Sequence, residues 1–140
     1  MPAAAPLSSV RRAALPALLI ALLLVACART VELVNLETGS VLTGVHSLWN
    51  RSIVISLPAG ETVTGTATKL TTTEIGPESL FFGANAGELL GPHAAERVYG
   101  YARLNGEEGT VMEIIFVSDW LGHGYGVART SRREEYRVTF

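Results

Sequence analysis

Val111-Met112-Glu113-Ile114-Ile115-Phe116-Val117 decides the fold. Successive strand residues point to opposite faces. Apart from Glu113 this run is apolar on both, as expected of a central strand covered on each side. Flanking segments are shorter and alternate. In Ile53-Val54-Ile55-Ser56-Leu57, the residues Ile53, Ile55 and Leu57 share one face, and Tyr136, Val138 and Phe140 alternate with Arg137 and Thr139. After residue 30 no window gives a capped 3.6-residue period. Short β-rich runs separated by turn residues recur instead, predicting strands near 31–36, 41–47, 51–57, 61–70, 79–83, 96–104, 110–118, 124–129 and 135–140.

Turn chemistry supports these divisions. Glu37-Thr38-Gly39, Pro58-Ala59-Gly60 and Asn105-Gly106-Glu107-Glu108-Gly109 each place Gly or Pro between apolar runs. Ser131-Arg132-Arg133-Glu134 forms a charged hairpin tip. Residues 84–95 make one long irregular segment, with room for a helical turn over Pro92-His93-Ala94-Ala95-Glu96.

A loose motif recurs. Val63-Thr64-Gly65-Thr66-Ala67, Val98-Tyr99-Gly100-Tyr101-Ala102 and Gly124-Tyr125-Gly126-Val127-Ala128 are alike, with Val41-Leu42-Thr43-Gly44-Val45 a looser copy. Gly inside a strand marks a bend or a close backbone approach. Repeated over several strands, it predicts an all-β fold: a small, strongly coiled antiparallel barrel or sandwich of about 8–9 strands. The copies are unevenly spaced, which argues against a solenoid.

The first quarter of the 140-residue chain is compositionally separate. All 14 glycines, all 13 acids and every aromatic residue lie after residue 26. Residues 1–12 carry Arg11 and Arg12 and no acid, and Ala13 to Ala26 is an apolar run rich in Leu and Ala. As a helix, those residues would rise about 21 Å, short of the roughly 30 Å hydrocarbon core. That suits a signal-peptide helix better than a spanning one. Without residues 1–26, thirteen acids face nine bases, a net charge of −4. Such a balance argues against nucleic acid as a partner.

The run ends at Leu24-Val25-Ala26-Cys27. This tetrapeptide resembles the lipobox of bacterial lipoprotein precursors in all four positions. The resemblance implies cleavage between Ala26 and Cys27 and a diacylglycerol on the Cys27 thiol. Cys27 is the only cysteine, so the chain offers it no disulfide partner. Ser9-Val10-Arg11-Arg12 matches a twin-arginine signal only in part, which favours ordinary Sec export. Residue 28 is Ala, whereas Asp after the lipidated Cys retains enteric lipoproteins at the inner membrane. By that resemblance, the expected location is the periplasmic face of the outer membrane. The domain reading is then 1–26 signal peptide, 27–30 lipidated terminus, and 31–140 one β-domain with almost no tether. The later motifs Gly109-Thr110-Val111-Met112-Glu113 and Gly122-His123-Gly124-Tyr125-Gly126-Val127-Ala128, with Tyr136-Arg137-Val138-Thr139-Phe140, resemble small, largely uncharacterised β-rich bacterial lipoproteins. That likeness implies no catalytic residues.

Signals for chemistry are sparse. His46, His93 and His123 lie at no zinc-ligand spacing, and neither a Gly-x-Ser-x-Gly elbow nor a phosphate loop occurs. No catalytic residue, metal site or cofactor is expected beyond the covalent lipid on Cys27. Glu107-Glu108 and Glu134-Glu135 fall at predicted turn tips, where they read as solvating charges. Thr62, Thr64, Thr66 and Thr68 read as a solvated strand face. Phe81-Phe82 would place one ring on each face of a strand, one in the core and one free for a membrane or partner.

One loop stands out. Asp119, Trp120, His123 and Tyr125 gather in a Gly-rich connection, which suits recognition. The competing expectation, which is favoured, is that Trp120 and Leu121 fold back to plug the barrel end. The expected function is a non-catalytic binding or structural module of the envelope, touching another envelope protein. The alternative is a small-ligand carrier with an interior pocket, and a more distant one is a hydrolase near His123.

Overall fold

The computed structural model describes residues 27–70, 79–83, 89–91 and 98–140. The expected signal-peptide helix and the helical turn at 92–96 lie outside those residues. The described chain forms eight strands: β1 (Ala28–Asn35), β2 (Val41–Ser47), β3 (Ser52–Ser56), β4 (Thr62–Leu70), β5 (Val98–Gly106), β6 (Val111–Ser118), β7 (Gly124–Thr130) and β8 (Glu135–Thr139). Each pairs antiparallel with the next, and β1 pairs with β8 from Glu32↔Thr139 to Asn35↔Tyr136. The sheet is therefore a closed up-and-down barrel, and closure leaves no free edge. A sandwich is excluded.

An eight-stranded barrel is just wide enough for side chains to fill it. Alternate residues do so here. Val31 and Leu33 of β1, Ile53 and Ile55 of β3, and Met112 and Ile114 of β6 are fully buried inside. The repeated glycines permit the tight curvature. A Cβ on Gly44, Gly65 or Gly126 would run into the carbonyl oxygen of Val54, Arg103 or Ile115 on the adjacent strand. Gly100 and Gly126 both lie opposite Phe116, and a Cβ on Gly100 would strike the Phe116 ring. The large ring occupies the space that the glycines leave.

Strand direction sorts the connections into two ends. At one end lie the start of β1, the β2–β3 and β6–β7 turns, the ends of β4 and β8, and the start of β5. We call it the mouth. The distal end carries the other four turns. Thr62, Thr64, Thr66 and Thr68 are exposed on the outer face of β4, as expected.

The predicted strand at 79–83 does not exist. That stretch is irregular and lies against the outer face of β5, β6 and β7, where Phe82 and Leu90 are buried on Tyr101, Ile115 and Val117. Phe81 is packed against the same cluster, so the two rings do not sit on opposite faces of a strand. The cause is Glu113, which points outward from β6 yet is fully buried. Its carboxylate accepts the amides of Leu80 and Phe81 (both 2.9 Å), the Ser79 hydroxyl (2.9 Å), the Tyr101 hydroxyl (2.7 Å) and Arg103 Nε (3.1 Å). A side chain thus supplies the acceptors that a neighbouring strand would have offered. Burial pushes the Glu113 carboxyl up, but these donors together outweigh it and hold the group below the usual carboxylate range. Burial, with the adjacent carboxylate, pushes Tyr101 up to about 12. Arg129 adds a second fastening: Nη1 donates to the Phe81 carbonyl (3.0 Å), and the guanidinium lies 4.8 Å over the Phe82 ring.

The distal end is stitched by a second buried acid. Glu61 accepts the Glu108 amide (3.0 Å), the Thr110 amide (3.2 Å) and the Thr110 hydroxyl (2.6 Å), and Arg132 Nη2 lies 3.4 Å away. It ties the β3–β4, β5–β6 and β7–β8 turns together. The Thr110 hydroxyl is the main cause of a lowered Glu61 pKa; burial opposes it, and the two amides and Arg132 add to it. The expected Glu107-Glu108 and Glu134-Glu135 pairs do fall at distal turns. Glu135 is nonetheless paired with Arg129 at 2.7 Å.

Candidate functional site: the barrel mouth

Below mid-height the barrel is filled by aliphatic side chains and by Tyr136. Towards the mouth the β5 and β7 walls carry glycines, Gly100, Gly124 and Gly126, and a cavity of about 410 Å³ opens there. His46, Phe116 and Gly100 line it from the strands. Arg51, Lys69 and Trp120 line its rim.

His46 lies in β2 two residues after Gly44, so the strand period turns it inward. Its ring meets Phe140 edge-on at 5.5 Å and Phe116 at 6.2 Å. It is buried, and Nδ1 has no hydrogen-bond partner among the described residues. Burial lowers its pKa from the ordinary 6.5, so the imidazole is neutral at pH 7. A neutral imidazole carries one donor and one acceptor. The zinc-ligand spacing that His46 lacks says nothing of this position; its period with Leu42 and Gly44 is the signal that places it inside.

The β6–β7 loop is a tight turn around Asp119. The carboxylate accepts the amides of Leu121 (2.9 Å) and His123 (3.0 Å), and lies 3.5 Å from His123 Nδ1. Burial pushes Asp119 up, but those amides and His123 outweigh it and lower the pKa. The carboxylate is thus occupied with holding the turn. His123 is half exposed beside it, as a Gly-flanked loop histidine should be.

The expected plug is not formed. Trp120 is 85% exposed, and Leu121 is 39% exposed. His46, Phe116 and Phe140 pack together beneath the mouth and Leu48 lies against Gly122, while Trp120 stays on the rim of the open cavity. The proposed recognition residues therefore separate. Asp119 and Trp120 line the mouth, and His123 sits behind Asp119. Tyr125 turns to the outer wall, where its hydroxyl donates to the Leu90 carbonyl at 3.0 Å.

Cys27 is at this rim. Its carbonyl accepts the Leu48 amide at 2.8 Å, and β1 begins at the next residue. Arg29 Nε donates to the Leu121 carbonyl at 3.2 Å, tying the start of β1 to the β6–β7 loop. Trp49, in the β2–β3 turn, is 88% exposed. The described residues contain no group of three or more His, Cys, Asp or Glu side chains able to hold a metal ion.

Comparison with protein-family models, with curated proteins and with solved structures finds no match to this chain.

Proposed function

We propose that the chain is a bacterial lipoprotein, anchored through Cys27 at the periplasmic face of the outer membrane. There its barrel acts as a non-catalytic binding or structural module in contact with another envelope protein. One observation carries the reading: the residue that completes the lipobox is bonded into the barrel rim, immediately before β1. The barrel thus begins where a lipoprotein's acylated terminus would lie. Each buried methylene contributes about 0.8 kcal/mol, so two or three acyl chains on one cysteine give firm anchoring. Ala28 supports the outer-membrane assignment by resemblance alone.

The test is the mass of the N-terminal peptide from protein produced in a bacterium. A peptide beginning at acylated Cys27 is expected, and Cys27→Ala should abolish incorporation of a labelled fatty acid. A peptide beginning at Met1, or an unmodified Cys27, defeats the reading.

The mouth cavity favours a second reading, a small-ligand carrier. Val31, Ile55, Met112 and their neighbours fill the interior below, so the ligand would be held at the mouth, against His46, and not deep in the barrel. Native mass spectrometry of protein taken from its own envelope tests this. A bound small molecule that His46→Leu removes supports it, and an empty barrel in both forms eliminates it.

A further inference from the structure

The chain has two tryptophans, and both stand almost fully exposed in the mouth connections, Trp49 at 88% and Trp120 at 85%. Scattered exposed apolar residues are ordinary, but two indoles at one end, with Leu121 beside one of them, expose apolar surface that water does not favour. Indole has an apolar body and a single polar N–H, and it settles at the headgroup level of membranes.

Charge follows the same axis. Among the described residues, the mouth connections and adjoining strand ends carry Arg29, Arg51 and Lys69 against Asp119. The distal turns carry Glu37, Glu61, Glu107, Glu108 and Glu134 against Arg132 and Arg133. Among the described residues alone, the mouth is net basic and the distal end net acidic. Basic residues near an anionic bilayer are drawn to it, and acids are not.

The point of entry of the chain fixes the distance. The apolar residues 13–26 end immediately before Cys27, and Cys27 is already bonded to the rim. One residue spans at most about 3.6 Å, so no linker exists to lift the mouth from the membrane. We propose that the rim formed by Trp49, Trp120 and Leu121, with Arg51 and Lys69, lies on an anionic lipid surface, so that the cavity opens onto the headgroups. This orientation rests on the lipid-anchor reading for its distance, while the indoles and the charge axis stand apart from it.

The experiment uses full-length protein produced in a bacterium and reconstituted into vesicles of phosphatidylethanolamine and phosphatidylglycerol, with or without brominated acyl chains. Both tryptophans are on the rim, so fluorescence excited at the red edge of the indole band, where tyrosine does not absorb, reads the rim. Trp49→Phe and Trp120→Phe separate the two signals. Each remaining indole should be quenched at least about twofold by brominated lipid, as expected for rings at headgroup depth, and shielded from iodide in the water. Indoles open to iodide and untouched by brominated lipid would show a rim facing water. Indoles shielded from both would show a rim covered by protein, whether a partner or a second copy. Either result overturns the proposal. The mass of Cys27, measured on the same sample, judges the anchor separately: an unmodified cysteine removes the anchor, and the quenching still judges the rim.

Discussion

The two ends of this barrel are finished in opposite ways. At the distal end, Glu61 is almost fully buried and its oxygens meet three donors and a guanidinium drawn from two other turns. At the mouth, His46 is equally buried, yet one ring nitrogen has no partner among the described residues, and both tryptophans face outward. A buried polar group without a partner costs about 1–3 kcal/mol. Its presence at one end, against a fully used carboxylate at the other, separates the end that holds the fold from the end available for contact.

The largest expected effect lies at the closed end. Glu61→Ala strips the acceptor from the Glu108 amide, the Thr110 amide and hydroxyl, and Arg132. A fall in Tm on the order of 10 °C is expected in thermal unfolding. A change within experimental error would mean that Glu61 does not hold the end closed.

Acid should separate the ends in time. His46 has its pKa lowered in the fold, so the stability its neutral form contributes is complete above its ordinary 6.5 and drains as pH falls below that. The Glu61 and Glu113 pKa values are also lowered in the fold, so their contribution is complete above their ordinary 4.5 and is lost as pH falls further. Between these values, hydrogen exchange should quicken at the mouth, around His46 and Phe140, while the distal turns stay protected. Equal protection at both ends would contradict the contrast. The outer wall has an alkaline counterpart. Tyr101 is raised from 10 to about 12, so its contribution is intact below 10 and fades as pH climbs towards 12.

His46→Leu tests the unpartnered nitrogen directly. It should raise stability at neutral pH by about 1 kcal/mol and abolish the early acid loosening of the mouth. A loss of stability in denaturant titration would show that the imidazole has partners after all. The smallest effects belong to the tryptophans. Trp49→Ala and Trp120→Ala should each leave the unfolding free energy within about 0.5 kcal/mol. A larger loss from either would make that indole part of the fold.

Much of the barrel was legible because strand alternation is a local property. Eight of the nine expected strands formed, and the Gly-centred motif marked close approaches at Gly44, Gly65, Gly100 and Gly126. The choice of barrel over sandwich depended on β1 meeting β8, a contact between the two ends of the sequence that no local pattern carries. The ninth strand failed because the amides of Leu80 and Phe81 find their acceptor in a carboxylate more than thirty residues away, and the Phe82 amide finds its own in the Ser79 hydroxyl. Glu113 itself was visible as the lone acid in an apolar strand, but not the segment it would clasp. At the mouth, alternation alone places His46 inside. The exposure of Trp120 is not carried by alternation, because Asp119 fixes the loop through the Leu121 and His123 amides and leaves the indole on the rim.

The start of β1 has a mechanical consequence. Cys27 passes without slack into a strand hydrogen-bonded on one side to β2 and on the other to β8. A pull on Cys27 along β1 therefore loads the β2 ladder from Ala28 and the β8 ladder from Glu32 in shear, not in peeling. Force applied at that residue is shared by the whole wall. Were Cys27 the lipid anchor proposed above, drag on the domain would be borne by these two ladders.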